Sequence, residues 1–358
     1  MGTWIRGILA VVPAGVRTTA DLAARFGAAD AERTAKLTGI AEARVAAGGQ
    51  TAGDLAEEAG RRLLARLALG PQDVDGLIFV TQTPDFPAPA TACVLQDRLG
   101  LPKGTAAFDV NLGCSGYPYG LALSGGLIAA GLSRRVLLLV GDTFTSRVHP
   151  EDRVCAPLFG DAVAATLLER DAEDDLLGVD LGTDGSGWAN LIVPAGQARW
   201  RTPEAFASSP PPRLAGVSRP EFVHMEGAEI FAFTLREVPG IVARTLQRAG
   251  RGADEVDYFF FHQANKFIQD HLVRKLGLAA EKCPASIDRF GNTSGASPAV
   301  TACHAVAAIN RGRELAAMFV GFGIGYSWGG VLVRLRRGTV LPLEEVSAEP
   351  TGGKVPSP

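Results

Sequence analysis

The chain has 358 residues, a hydrophobic fraction of 47%, a charged fraction of 20% and a formal net charge of −3. Such a chain can bury a large core without disulfides or metals, and its nearly balanced charge gives no reason to expect nucleic acid or a membrane surface as partner. The stretch from Met1 to Ala14 lacks the basic region and cleavage site of a signal peptide, and no apolar run reaches the roughly 18 residues of a membrane span. The five Cys are spread widely without a C-x-x-C pair. That argues against a disulfide framework and a structural zinc site, so the expected compartment is the cytoplasm.

Along the chain, helix and strand alternate. Asp54 to Ala68 reads as a helix, Gly76 to Thr83 as a short strand and Val136 to Asp142 as a buried one. Gln197 to Glu221, with three successive prolines, reads as a long surface loop. Its four arginines, Arg199, Arg201, Arg213 and Arg219, are taken as solvated, the alternative being contact with an acidic partner. Val256 to His262 and Ala317 to Gly321 read as further strands, and the tail after Arg337 as disordered. Alternation of this kind predicts an α/β fold with buried sheets. An internal repeat sharpens that prediction. The segment from Asp109 matches that from Asp288: each has an Asp, a turn, a Ser-Gly pair (Ser115-Gly116 and Ser294-Gly295), an Ala-rich helix, a basic turn and an apolar strand. The preceding units, Asp75 to Thr83 and Asp257 to Asn265, match in the same order. A duplicated half is expected.

Three residues stand out as candidates for chemistry. Cys114 follows a strand and opens an Ala/Leu helix. A thiol there faces the positive end of the helix dipole, which is expected to lower its pKa. By its neighbours alone it is either a nucleophile or a Cys packed in a tight turn. The remaining Cys lack this setting and read as packing residues. His262 ends an aromatic strand, where α/β folds place functional groups, though taken alone a satisfied strand-end His is the somewhat better fit. Asn292, in Gly-Asn-Thr-Ser, is a helix cap or a functional amide. If the halves are related by a pseudo-twofold axis, all three converge.

The chain resembles the β-ketoacyl-ACP synthase III group of the thiolase superfamily over about residues 1 to 337. The resemblance is carried by Cys-Ser-Gly-Tyr-Pro-Tyr-Gly (114–120), Leu-Phe-Gly-Asp (158–161), Met-Glu-Gly (225–227), His-Gln-Ala-Asn (262–265), Gly-Asn-Thr-Ser (291–294) and a glycine run closing on Trp-Gly (321–329). It implies a five-layered αβαβα thiolase fold from two duplicated halves. These are residues 1–171 with the nucleophilic Cys, 172–337 with the His and Asn, and a tail over 338–358. It also implies a homodimer without metal or redox cofactor. The implied activity is a decarboxylative Claisen condensation of an acyl-CoA or acyl-ACP with malonyl-ACP, in fatty acid or polyketide biosynthesis. Carried over, Cys114 takes the acyl group, the N–H groups of Cys114 and Ile324 form the oxyanion hole, and His262 and Asn292 hold the malonyl thioester carbonyl. Phe322 flanks the malonyl carboxylate. Arg153 and Asn265 lie in substrate-binding stretches, while Arg274 and Lys275 sit on the helix expected to meet the acyl carrier protein.

Three positions depart from the common pattern. Arg33 and Leu37 stand where the family has a Trp and an Arg that bind CoA, which points toward a carrier-protein donor. Ala88 replaces a bulky residue that closes the acyl pocket, so larger acyl groups are expected to fit. Ile324 stands where a Gly is usual. Two alternatives follow: a non-condensing acyltransferase that delivers to another carrier, hydroxyl or amine, and a non-catalytic thiolase-fold partner subunit. Retention of both His262 and Asn292 favours condensation.

Overall fold

The structure is a computed structural model that describes residues 2–305 and 312–347. The main elements are β1 (Gly2–Pro13), α1 (Ala52–Arg66), β2 (Gly76–Val80), α2 (Thr91–Arg98), β3 (Ala106–Val110), α3 (Gly116–Ala129), β4 (Arg135–Asp142), β5 (Ala162–Asp171), β6 (Leu176–Thr183), α4 (Gly227–Ala249), β7 (Tyr258–Phe261), α5 (Lys266–Leu276), α6 (Ser297–His304), β8 (Leu315–Gly323), β9 (Ser327–Leu335) and β10 (Glu344–Val346).

Two sheets carry the molecule, in the orders β10-β1-β5-β4-β2-β3 and β7-β8-β9-β6. The inner four strands of the first, β1-β5-β4-β2, match the second, β6-β9-β8-β7, in order and in sense. In each set the first two neighbouring pairs are antiparallel and the last is parallel. This is the duplication expected from the sequence repeat. Strands β2, β4 and β7 are buried along nearly their whole length, because helices cover both faces of each sheet. Helices α3 and α6 lie between the sheets, with α1 and α2 outside the first and α4 outside the second. The result is five layers, αβαβα. Part of the second repeat, residues 306–311, lies outside the described residues. No helix among the described residues is long and apolar enough to cross a membrane.

Two sequence expectations need correction. The tail is ordered through Ser347. Val340 bridges Ile8, and β10 pairs in parallel with β1 at Val11 to Pro13. Glu344 in that strand pairs with Arg62 and Arg66 of α1. A polar composition concealed an edge strand, which needs only backbone groups and a few ion pairs. Residues 348–358 lie outside the described residues. The segment from Gln197 to Glu221 is also more than a solvated loop. Phe206 and Leu214 are buried in a small cluster with Ala189 and Ala195, against which Trp200 packs. Three of its four arginines are turned back onto the chain: Arg213 donates to the Ser186 carbonyl, Arg219 to His149, and Arg199 lies over Trp200.

Candidate functional site

Helix α3 begins between the two sheets, and Cys114 lies two residues before it in a buried turn. The turn is held by close backbone approaches that only glycine permits. A Cβ on Gly295 would lie 2.6 Å from the Gly113 carbonyl oxygen, so the two repeat-related turns touch main chain to main chain. A Cβ on Gly321 would lie 2.6 Å from the Cys114 carbonyl oxygen, and one on Gly323 would lie 2.7 Å from both Cys114 Cβ and Sγ. Thus the end of β8 and the residue after it, Gly321–Ile324, close over the thiol, and the Ile324 N–H bonds to the Cys114 sulfur. The Ile324 side chain lies beside Gly113, where an added Cβ would come within 3.1 Å of it.

The expectation of a lowered thiol pKa is reversed. Burial pushes Cys114 up to about 11, and any charge on Asp142 would add to this. The N–H groups of Ile324 and Cys114 pull the other way without prevailing. The helix dipole falls off within a turn and is worth on the order of 1 kcal/mol, whereas full burial moves a thiol by several pKa units. Cys114 is therefore a neutral thiol at rest. Among the other Cys residues, Cys155, Cys283 and Cys303 are buried, but Cys93 is exposed and is no packing residue.

His262 follows β7 directly, and its N–H donates to the Val320 carbonyl at 2.7 Å, extending the parallel ladder with β8. The ring is buried and depressed to about 4 by that burial, so it is neutral. Its Nδ1 lies 3.1 Å from the Ser294 carbonyl and 2.9 Å from Ser297 Oγ. The carbonyl accepts a proton held on Nδ1, whereas the hydroxyl can instead donate to Nδ1, so both neutral tautomers find a partner. The Phe322 ring stands edge-on to the imidazole at 5.6 Å.

Asn292 owes its position to the Leu-Phe-Gly-Asp segment. Its N–H donates to the Leu158 carbonyl at 2.8 Å, and its carbonyl accepts from the Gly160 N–H at 3.0 Å. A Cβ on Gly160 would lie 2.0 Å from the Phe290 carbonyl oxygen, so this pairing requires glycine. Asn292 Oδ1 accepts from the Ser294 N–H at 3.0 Å, which leaves the amide Nδ2 as the free donor of that side chain. Asp161 is fully buried and accepts from the N–H groups of Ala46 and Thr145.

The peripheral candidates lie apart from this centre. Arg153 pairs with Asp30 at 2.7 Å and lies over the Phe26 ring, while Arg33 pairs with the same carboxylate at 2.9 Å. Together they line a cavity of about 70 Å³. Leu37 is exposed. Asn265 caps α5, its side chain accepting from the Ile268 N–H at 2.8 Å. On α5, Lys266 pairs with Asp270, Arg274 donates to the Asp270 carbonyl, and Lys275 donates to the Leu235 carbonyl of α4. Ala88 is exposed, on a loop anchored by Asp85, which accepts from the Gly53 N–H. Sequence reasoning missed Ser297 and Asp142. Their signals were a second Ser after Gly-Asn-Thr-Ser and an Asp closing the apolar run Val136 to Gly141.

Models of known families and structures place this arrangement among relatives. Residues 108–185 match the model for 3-oxoacyl-[acyl-carrier-protein (ACP)] synthase III, and residues 246–335 match the model for its C-terminal part. The β-ketoacyl-[acyl-carrier-protein] synthase III of Streptococcus suis is 36% identical over 90% of this chain and 96% of its own. That of Symbiobacterium thermophilum is 35% identical over 93% and 98%. Among solved structures, a 3-oxoacyl-(acyl-carrier protein) synthase from Burkholderia xenovorans superposes with a TM-score of 0.90 at 41% identity, over 97% of each chain.

Proposed function

The chain belongs to the β-ketoacyl-[acyl-carrier-protein] synthase III family, and from that premise we propose that it condenses an acyl thioester with malonyl-ACP through an acyl group carried on Cys114. The single observation that carries the assignment of roles is the meeting of three buried turns at one point. One holds a thiol, one an imidazole at the end of β7, and one an amide whose Nδ2 is free to donate.

In the first stage Cys114 attacks the carbonyl of the acyl donor. The Sγ–C bond forms, the donor's C–S bond breaks, and the thiol proton passes by way of His262 Nε2 to the departing thiolate. The acceptor tautomer, with Nδ1–H on the Ser294 carbonyl, suits this step. A thiol that is neutral at rest makes such a proton acceptor necessary. The N–H groups of Ile324 and Cys114, which face the sulfur, suit the oxyanion of the tetrahedral intermediate. In the second stage malonyl-ACP enters. Its carboxylate–Cα bond breaks, CO2 leaves, and the electron pair moves into the thioester as an enolate. Asn292 Nδ2 donates to the enolate oxygen. His262 donates from Nε2 in the tautomer in which Ser297 donates to Nδ1. The enolate carbon then bonds to the acyl carbonyl, and Cys114 leaves as a thiolate that is reprotonated. The apolar ring of Phe322 beside His262 gives the malonyl carboxylate little solvation, which favours its loss as CO2.

The same reading makes the chain a cytoplasmic homodimer in which the Asp85–Ala90 loop reaches the partner's acyl pocket, with α5 meeting the carrier protein. The acyl donor is either a CoA or a carrier thioester. Incubation with malonyl-ACP and a panel of acyl donors, followed by intact-protein mass spectrometry and CO2 release, tests the reading. Cys114→Ala should abolish the acyl adduct, and an adduct on another Cys would refute the assignment. His262→Ala and Asn292→Ala should depress CO2 release more than acylation. Acylation without any malonyl-dependent CO2 release would instead support the non-condensing acyltransferase.

A further inference from the structure

Asp142 closes β4 and is 1% exposed, yet no step above employs it. The hydrogen bonds it accepts converge on one oxygen. Oδ1 receives the Thr81 hydroxyl at 2.8 Å, the Gln82 N–H at 2.6 Å, the Thr83 N–H at 3.1 Å and the Thr83 hydroxyl at 3.2 Å. Oδ2 is buried without a hydrogen-bond partner. From the opposite repeat the Ser294 side chain approaches the carboxyl and favours its charged form, yet it leaves Oδ2 without a hydrogen bond of ordinary geometry.

Ser294 is an unusual residue. It is buried, and it holds a left-handed backbone at φ 50, which a non-glycine residue adopts only when its surroundings impose it. Its N–H fixes Asn292 Oδ1 and its carbonyl lies on His262 Nδ1. One strained residue therefore orients both side chains assigned to the malonyl thioester. On its other side Asp142 fixes Gln82, whose side-chain oxygen would lie 2.3 Å from a Cβ on Gly113, next to Cys114. Asp142 thus sits where the turn after β2, the Cys114 turn and the Asn292 turn meet.

A buried carboxylate oxygen with no donor is strongly unfavourable, because it has given up its water without a replacement. A proton on that oxygen removes the charge and supplies a donor. We propose that Asp142 is a positioning residue for the condensation: as a carboxylic acid protonated on Oδ2, it spans from the Thr81–Thr83 turn to Ser294 and so sets the orientation of His262 and Asn292. Burial, which raises Asp142 above the ordinary carboxylate range, agrees with this state. So does the chemistry next door, because a charge on Asp142 would oppose the Cys114 thiolate. The inference rests on the roles proposed for His262 and Asn292.

Four variants test it: Asp142→Asn, Asp142→Ala, Ser294→Ala and the double Asp142→Ala/Ser294→Ala. Two rates are read for each, single-turnover acylation of Cys114 and decarboxylation of malonyl-ACP. Asn is isosteric with the neutral acid, keeps an acceptor for the Thr81–Thr83 donors and offers an N–H toward Ser294. It should hold the ratio of the two rates within about threefold of wild type. Asp142→Ala should lower decarboxylation about tenfold more than acylation, a loss the size of one well-placed hydrogen bond. Ser294→Ala should act in the same direction, and the double should be no worse than the more severe single, since both remove one link. An unmoved ratio in Asp142→Ala, or additive losses in the double, would overturn the proposal. Alkylation of Cys114 by iodoacetamide at fixed pH should be nearly unchanged in Asp142→Asn. A roughly tenfold faster reaction would show that a negative charge had been removed, and would overturn the neutral assignment. His262→Ala, run in parallel, separates the two readings: if it leaves decarboxylation intact, the proposed roles have failed rather than that of Asp142. Should Asp142→Ala not fold, Asp142→Asn and Ser294→Ala still decide the outcome.

Discussion

Replacing Gly323 by Ala puts a methyl group where the structure has no room for one. Its Cβ would lie 2.7 Å from Cys114 Cβ and 2.7 Å from Cys114 Sγ, whereas carbon and sulfur atoms pack at about 3.5–4.0 Å. The overlap is about 1 Å and involves two atoms of the nucleophile, so rotating the thiol about its first side-chain bond cannot relieve it. Either Cys114 moves away from the acyl donor or the Gly321–Ile324 segment lifts, taking the Ile324 N–H off the sulfur. A displacement of about 1 Å at the reacting atom costs on the order of 100-fold, roughly 2.7 kcal/mol of activation free energy. Acylation of Cys114 by a saturating acyl donor, followed by intact-protein mass spectrometry on a rapid-quench time course, should slow by that factor. Guanidinium denaturation run alongside separates loss of fold from displacement of the nucleophile, since Phe322 beside Gly323 belongs to the core. Acylation within about threefold of wild type would refute the argument that this close approach sets the nucleophile.

Three further outcomes are expected. His262 is held at about 4 against an unfolded value near 6.5, so between those values the unfolded chain binds the extra proton. The stability contribution of the neutral ring is full above pH 6.5 and is lost as pH falls toward 4, on the order of 3 kcal/mol. The stability advantage of wild type over His262→Gln should shrink across that window, and a constant difference would contradict the burial argument. Arg274→Glu with Lys275→Glu should raise KM for the carrier protein and flatten its salt dependence. Since Lys275 also ties α5 to the Leu235 carbonyl, a thermal melt should accompany the kinetics, and an unchanged KM would exclude α5 as the docking surface. Ala88→Phe should preserve folding, because Ala88 is exposed in the single chain. It should remove octanoyl and benzoyl donors while keeping acetyl; a wild-type enzyme that already prefers acetyl would show the pocket to be closed by another residue.

Much of the fold was legible because it is written as periodicity and repetition. The β-rich runs at Gly76, Val136 and Tyr258 became buried central strands. The Ser-Gly pairs at 115 and 294 marked turns that meet in space. The tail and the segment from Gln197 to Glu221 were misread for one reason. An edge strand such as Glu344–Val346 is stabilised by main-chain pairing and by Arg62 and Arg66, and the Phe206–Leu214 cluster by apolar residues that recur with no helical or strand period. Neither leaves a local compositional signal.

At the candidate site the sequence by itself determined which residues have the right chemistry: a Cys before a helix, a His after a strand, and an Asn in a mirrored turn. Tertiary structure decided their states. Whether the helix dipole or burial governs Cys114 depends on how completely β8 covers the thiol, and that cover comes from residues more than two hundred positions away. Which nitrogen of His262 carries the proton depends on Ser294 and Ser297, brought to it from the next repeat turn. The setting of Asp142 depends on donors converging from the turn after β2 and on Ser294 from the opposite half. Ionisation and tautomer answer to the dielectric and to the partners within a few ångströms, and in a fold built from two interleaved halves those partners are remote in the chain.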